Sequence, residues 1–119
     1  MSVGKKQKKR HLTNKRIFVI ASTVAEHFGH TPDMLAGKSR TASIVKARQL
    51  SYVLAQRMSF SCTEISEQFG HGDDHATVLR GIKRVEKEKK LLAKLEEKTN
   101  KDFEEGKYDA SFSASSASE

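Results

Sequence analysis

Four residues capable of chemistry crowd into one short stretch: His71, Asp73, Asp74 and His75, within Phe69-Gly-His-Gly-Asp-Asp-His-Ala-Thr-Val-Leu79. Imidazole and carboxylate are competent ligands for zinc or a harder divalent ion. That reading, and the small metal-dependent hydrolase it would imply, lacks a third or fourth ligand at a strong spacing. His27 and His30 are equally explicable as surface residues, and the flanking glycines Gly70 and Gly72 read as turn chemistry. A second chemistry fits the spacing better. A tight turn here delivers Asp74, His75, Ala76 and Thr77 onto the first turn of a new helix, where the Asp74 carboxylate can cap the Thr77 amide. Small and polar side chains at a helix start are what the base edges of a DNA major groove admit.

The elements that must hold this turn are legible on either side. Ser61 is followed three residues later by Glu64, the capping-box spacing, so a helix begins there and runs toward Phe69. Two helices around a glycine-rich turn make a helix-turn-helix. Upstream, a helix is expected from Asn14 to Phe28, with Ile17, Val24 and Phe28 at helical spacing and Gly29 as its stop. Thr31 and Pro32, a cap and a first-turn proline, open a brief helix that Gly37 ends. After a polar connector, Lys38-Ser-Arg-Thr-Ala-Ser43, residues Ile44 to Met58 place Ala47, Leu50, Val53 and Met58 on one face of a further helix. The last helix is expected to be long, continuing past Ile82 with Val85, Leu92 and Leu95 as its apolar seam; Gly81 within it costs about 1 kcal/mol relative to Ala. The fold class is therefore all-α: a compact helical bundle over residues 13–98, with a disordered basic arm (1–12) and a flexible acidic, serine-rich tail (99–119) whose Phe103, Tyr108 and Phe112 could dock transiently.

Size and charge agree. A chain of 119 residues with 36% hydrophobic content supports one modest core. The formal charge of +7 comes from residues 1–16, which hold seven Lys/Arg and no acid, leaving fifteen bases against fifteen acids in the rest. Residues 38–90 carry 11 bases and 6 acids, whereas 96–119 carry 3 and 7. A basic body with an acidic tail suits a polyanionic partner. Cys62 is the only cysteine, so no intrachain disulfide and no Cys-x-x-Cys zinc site can form, as fits a reducing cytoplasm. It reads as a small apolar filler. No apolar run approaches the roughly 20 residues needed to cross a bilayer.

Taken in order, Thr23-Val-Ala-Glu-His-Phe28, Asp33-Met-Leu35, Lys38-Ser-Arg-Thr-Ala-Ser-Ile-Val-Lys-Ala-Arg-Gln49 and Glu64-Ile65 with Phe69-Gly70 and Asp74-His-Ala-Thr-Val78 resemble the C-terminal DNA-binding domain of the bacterial replication initiator DnaA. The resemblance implies a helical module that binds a short asymmetric duplex box as a monomer. It implies Arg40 in the minor groove, Lys46, Arg48 and Gln49 on the phosphate backbone, Asp74, His75, Ala76 and Thr77 facing the major groove, and Arg80 on a neighbouring phosphate. These roles agree with the attraction of narrow minor grooves for arginine and of helix N-termini for phosphate. The chain departs from the family pattern at Ala76, where threonine is usual, at Asp73, where a basic residue is usual, and at Ala42 and Ala47, in place of an arginine and a proline. The turn before Asp74 is one residue longer than the family's, and the loop before Ser61 one shorter.

No Gly-x-x-x-x-Gly-Lys-[Ser/Thr] loop occurs, so nucleotide hydrolysis is not expected of this chain. The expected function is non-enzymatic, sequence-specific binding of double-stranded DNA in the cytoplasm at the nucleoid, without cofactor or metal, in replication initiation or its regulation. The competing expectation is an interaction module that holds an initiator or another protein through the long charged helix.

Overall fold

The computed structural model describes residues 12–36, 39–70 and 75–112. They form six helices: α1 (Lys15–Phe28), α2 (Pro32–Leu35), α3 (Ala42–Arg57), α4 (Cys62–Gln68), α5 (His75–Val85) and α6 (Lys89–Glu105). A last helical turn covers residues 109–112.

Local chemistry sets most of the boundaries. The Asn14 side chain accepts from the Ile17 amide at 3.2 Å, and Gly29 closes α1 in the left-handed region at φ 78°, which costs glycine little. Thr31 caps α2 with Pro32 at its first position. Ser61 and Glu64 form the reciprocal capping box: the Glu64 amide donates to Ser61 Oγ at 3.1 Å, and the Ser61 amide donates to Glu64 Oε1 at 2.9 Å.

The centre of the bundle is α1. Residues 17–25 are buried without interruption, which an amphipathic stripe cannot produce; a helix buried all round must be covered on every side. α3 lies along one flank, α6 along another, and α2 closes the end. Against α6, Thr23 Oγ1 donates to Asp102 Oδ2 at 2.9 Å in the buried interface, and Thr99 Oγ1 donates back to the Leu95 carbonyl at 2.7 Å. At the other end of α1 the Thr13 and Asn14 amides both donate to Gln68 Oε1, tying the chain entry to α4.

Three features differ from the sequence expectation. The last long helix is two helices: α5 ends at Val85 and a turn at residues 86–88 redirects the chain into α6, with the Glu88 amide donating to the Val85 carbonyl at 2.9 Å. Leu92 and Leu95 therefore pack inside the bundle instead of extending the α5 seam. The stretch expected to begin a flexible tail at 99 stays helical to Glu105, with Thr99 and Asp102 buried. Beyond it Phe112 meets Phe18 with ring centroids 5.4 Å apart, and the Tyr108 hydroxyl donates to Glu26 at 2.9 Å. Finally, Leu12, assigned to the arm, is buried in the core; residues 1–11 lie outside the described residues.

α5 sits on α3 with little room to spare at Gly81. A Cβ on Gly81 would stand 3.0 Å from Gln49 Cγ and from the Tyr52 ring, which in turn meets Phe69 edge-on at 5.3 Å. Gly81→Ala should gain about 1 kcal/mol of helix propensity and lose about 1–3 kcal/mol to overpacking. Packing wins, so urea unfolding should show a net loss of about 1 kcal/mol; an unchanged or raised midpoint means the two helices have slack.

The C-terminal clasp makes a pH prediction. The Lys107 ammonium, at 2.8 Å, and then the Tyr108 hydroxyl hold the Glu26 carboxyl below its ordinary 4.5. Burial, followed by the Glu26 carboxylate, pushes the Tyr108 phenol from 10.0 up to about 12. Glu26's contribution is present above the ordinary carboxylate range and fades as pH falls through its depressed value. That of Tyr108 is present below pH 10 and fades as pH rises toward 12. In Glu26→Gln, NMR titration of Tyr108 should move its ionisation down toward the ordinary phenol value, and the acid-side loosening of residues 107–112 should disappear.

Candidate nucleic-acid interface

The helical period of α5 decides which side chains can reach a partner. Val78, Gly81, Ile82 and Val85 point inward and are buried. His75, Ala76, Leu79, Arg80, Lys83 and Arg84 are exposed, with Thr77 half-buried between the two faces. The helix thus presents small side chains at its start and cations toward its end. α4 and its capped N-terminus pack across α5, and the Tyr52 and Phe69 rings fix the junction from beneath. Asp74, expected to cap α5 and face the major groove, lies outside the described residues, as do His71 and Asp73.

Leu79 is not among the residues that sequence reasoning assigns to the site, although the inward period 78, 82, 85 places it outside. It is 41% exposed, one of the few large apolar side chains so placed, and it sits one turn beyond Ala76 on the outward face. Lys83, also exposed, extends the same face by another turn.

The α3 residues separate into different situations. Arg40 is exposed just before α3. Lys46, in the first turns of α3, pairs with Glu88 at 3.0 Å across the turn between α5 and α6. Gln49 is half-buried in the α3–α5 seam beside Gly81. Arg48 departs most from the phosphate-gripping role expected for it. It is only 7% exposed, its Nε donates to the Leu35 carbonyl at 2.7 Å, and its Nη2 donates to the Ser39 carbonyl at 3.1 Å. Burial holds the guanidinium below its ordinary pKa. Nothing in the sequence pattern separates Arg48 from its exposed neighbour Lys46, because a buried arginine is rare enough that exposure is the default expectation.

Ion pairs join the C-terminal part to the helices before it. Asp109 pairs with Lys15 of α1 at 2.9 Å and Glu96 with Arg57 of α3 at 2.8 Å, while Lys107 reaches back to Glu26 of α1 at 2.8 Å. Arg16 and Lys15 also lie over the Phe103 ring. Arg40, Arg80, Lys83 and Arg84 meet no acid among the described residues. Positive charge without an ion-pair partner among the described residues therefore includes the outward face of α5 and the residue before α3, together with lysines of α6 such as Lys89, Lys90 and Lys94.

Comparison with known proteins agrees with this geometry. A family model described as "Bacterial dnaA protein helix-turn-helix" matches residues 17–85. The chain is similar to proteins named chromosomal replication initiator protein DnaA: 36% identical over 80 residues to that of Treponema pallidum (strain Nichols), covering 66% of this chain and 16% of the relative. It is 41% identical over 68 residues to that of Thermus thermophilus, covering 56% and 15%. With the Brucella abortus protein it shares 40% identity over 72 residues, covering 60% and 14%. The chain thus spans about one sixth of the length of these relatives. No solved structure matches it. With its capped α4, the α5 face it positions and a match that runs from the first turn of α1 to the last residue of α5, this chain belongs to the bacterial DnaA helix-turn-helix family.

Proposed function

We propose that this chain binds double-stranded DNA at a short, defined box as a monomeric, non-enzymatic module of the nucleoid, acting in replication initiation or its regulation. The observation that carries the reading is the outward face of α5: small side chains at the helix start, then cations left without acidic partners among the described residues. Entering a major groove by its N-terminus, α5 would offer His75 and Thr77 to hydrogen-bonding base edges and Ala76 to a thymine methyl, with Asp74 just ahead of them. Leu79 would add a second apolar contact one turn along. Arg80 and Lys83 would lie on phosphates, as would Lys46 in the first turns of α3 and the outer end of Gln49 midway along it, while Arg40 would enter the adjacent minor groove.

The reading as a partner-binding helix is weakened by burial. Leu92 and Leu95, the apolar residues of the long charged helix through which it would act, are fully covered inside the bundle.

Selection from a random duplex library should enrich one box; a pool that stays unenriched at low ionic strength ends the proposal. Replacing His75 or Thr77 by Ala should relax preference at single positions at about 1–3 kcal/mol each. Arg80→Ala should instead weaken binding to all sequences alike and reduce the salt slope by about 1, read from titrations at several salt concentrations.

Lys46 must share its ammonium between Glu88 and a phosphate. Half-exposed pairs of this kind hold about 0.2–1 kcal/mol, so Glu88→Gln should tighten binding by a factor of about 1.4 to 5 on any sequence. Weaker binding by this variant would mean the pair serves to place the turn between α5 and α6.

A further inference from the structure

Of the arginines in the described residues, Arg48 alone is buried, and both of its hydrogen-bonded partners are main-chain carbonyls on either side of one connector. The Leu35 carbonyl is at the C-terminal end of α2, where the helix leaves orphan acceptors and carries partial negative charge. The Ser39 carbonyl immediately precedes Arg40. A guanidinium is suited to this because its rigid planar fork aims two donors at once; a lysine ammonium is a single point on a flexible stem. The two N–H groups so committed cannot also serve a phosphate, and releasing them would leave a buried carbonyl without its donor. Thr41 reinforces the connector, its amide donating to Ser39 Oγ at 3.3 Å, and His30 Nε2 lies 2.7 Å from Ser43 Oγ just beyond.

We infer that Arg48 is a positioning residue for Arg40: it pins α2 and the residue preceding Arg40 to α3, setting the place from which the Arg40 side chain reaches its groove. The inference rests on the DNA-binding reading proposed above. A pre-set departure point lowers the ordering cost of a long side chain on binding. Arg48 thus governs discrimination at the base pairs that Arg40 reads and leaves those under α5 alone. The Coulombic contribution of a backbone-gripping cation is not its role.

The experiment compares Arg40→Ala, Arg48→Lys and the double variant in titrations against boxes changed either at the minor-groove flank or under α5. The wild type should prefer A·T over G·C at the flank. Arg48→Lys, which keeps the charge, should lose that preference to the level of Arg40→Ala. It should keep discrimination under α5 within about twofold, and the double variant should be no worse than Arg40→Ala alone. Retention of the wild-type flank ratio by Arg48→Lys overturns the inference, as does an equal loss on every box. If Arg48→Lys does not fold, the wild type decides: the Arg48 Nε–H resonance should keep its hydrogen-bonded, exchange-protected signature when duplex is added. Its transfer to a phosphate overturns the inference. A wild type that binds no duplex sinks the parent reading along with this one; a wild type that discriminates while Arg48→Lys matches it sinks this one alone.

Discussion

The close approach of α5 to α3 at Gly81 is the constraint on which the candidate interface depends. With no Cβ in the way, the Tyr52 ring and the Gln49 stem lie against the α5 backbone, and Phe69 closes on Tyr52 from the turn end. A two-helix motif has too little surface of its own to fix the angle at which its second helix projects; that angle is borrowed from α3. Because Val78, Ile82 and Val85 are drawn onto the same support, the opposite face of α5 is left to His75, Ala76, Leu79 and Arg80. Core packing and presentation of a reading face are thus one arrangement seen from two sides.

Charge pairing spares the same face. Residues 17–119 balance fifteen bases against fifteen acids once residues 1–16 are set aside, so what matters is which charges meet. Glu96 of α6 meets Arg57, and Asp109 of the closing turn meets Lys15. Each such pair is exposed and contributes little stability. None of them engages Arg40, Arg80, Lys83 or Arg84, whose charges stay available to draw in an approaching polyanion. Lys46 with Glu88 is the exception, a cation of the candidate interface that has an acid beside it.

Helix starts were legible in the sequence because caps are local chemistry: Asn14, Thr31 and the Ser61/Glu64 box each act within three residues. The outward face of α5 was legible too, as the complement of its apolar period. The break at residues 86–88 was not, since Glu86-Lys87-Glu88 carries neither glycine nor proline and Leu92 and Leu95 continue an apolar pattern that reads as one helix. Hydrophobic patterning was also blind to Thr99 and Asp102, which are polar and owe their burial to partners far away in sequence, Asp102 accepting from Thr23 seventy-nine residues earlier. The burial of Arg48 escaped for the same reason: it follows the position of the Leu35 and Ser39 carbonyls, which only the folded chain brings together.

The family match ends at Val85, yet the folding unit cannot end there. α1 is buried along nine consecutive residues, and α6 supplies the cover for one of its flanks. Without Leu92, Leu95, Thr99 and Asp102 that flank would expose apolar surface and leave the Thr23 hydroxyl without its buried acceptor. Uncovered apolar surface costs about 25 cal/mol per Å², and a few residues of it rival the whole margin of a small domain. The charged helix α6, which by charge alone looked like an appendage for a partner, is therefore the wall that completes the core. The matched residues read as the part that would meet DNA, and the residues beyond them as the part that keeps α1, and through it α3 and α5, in place.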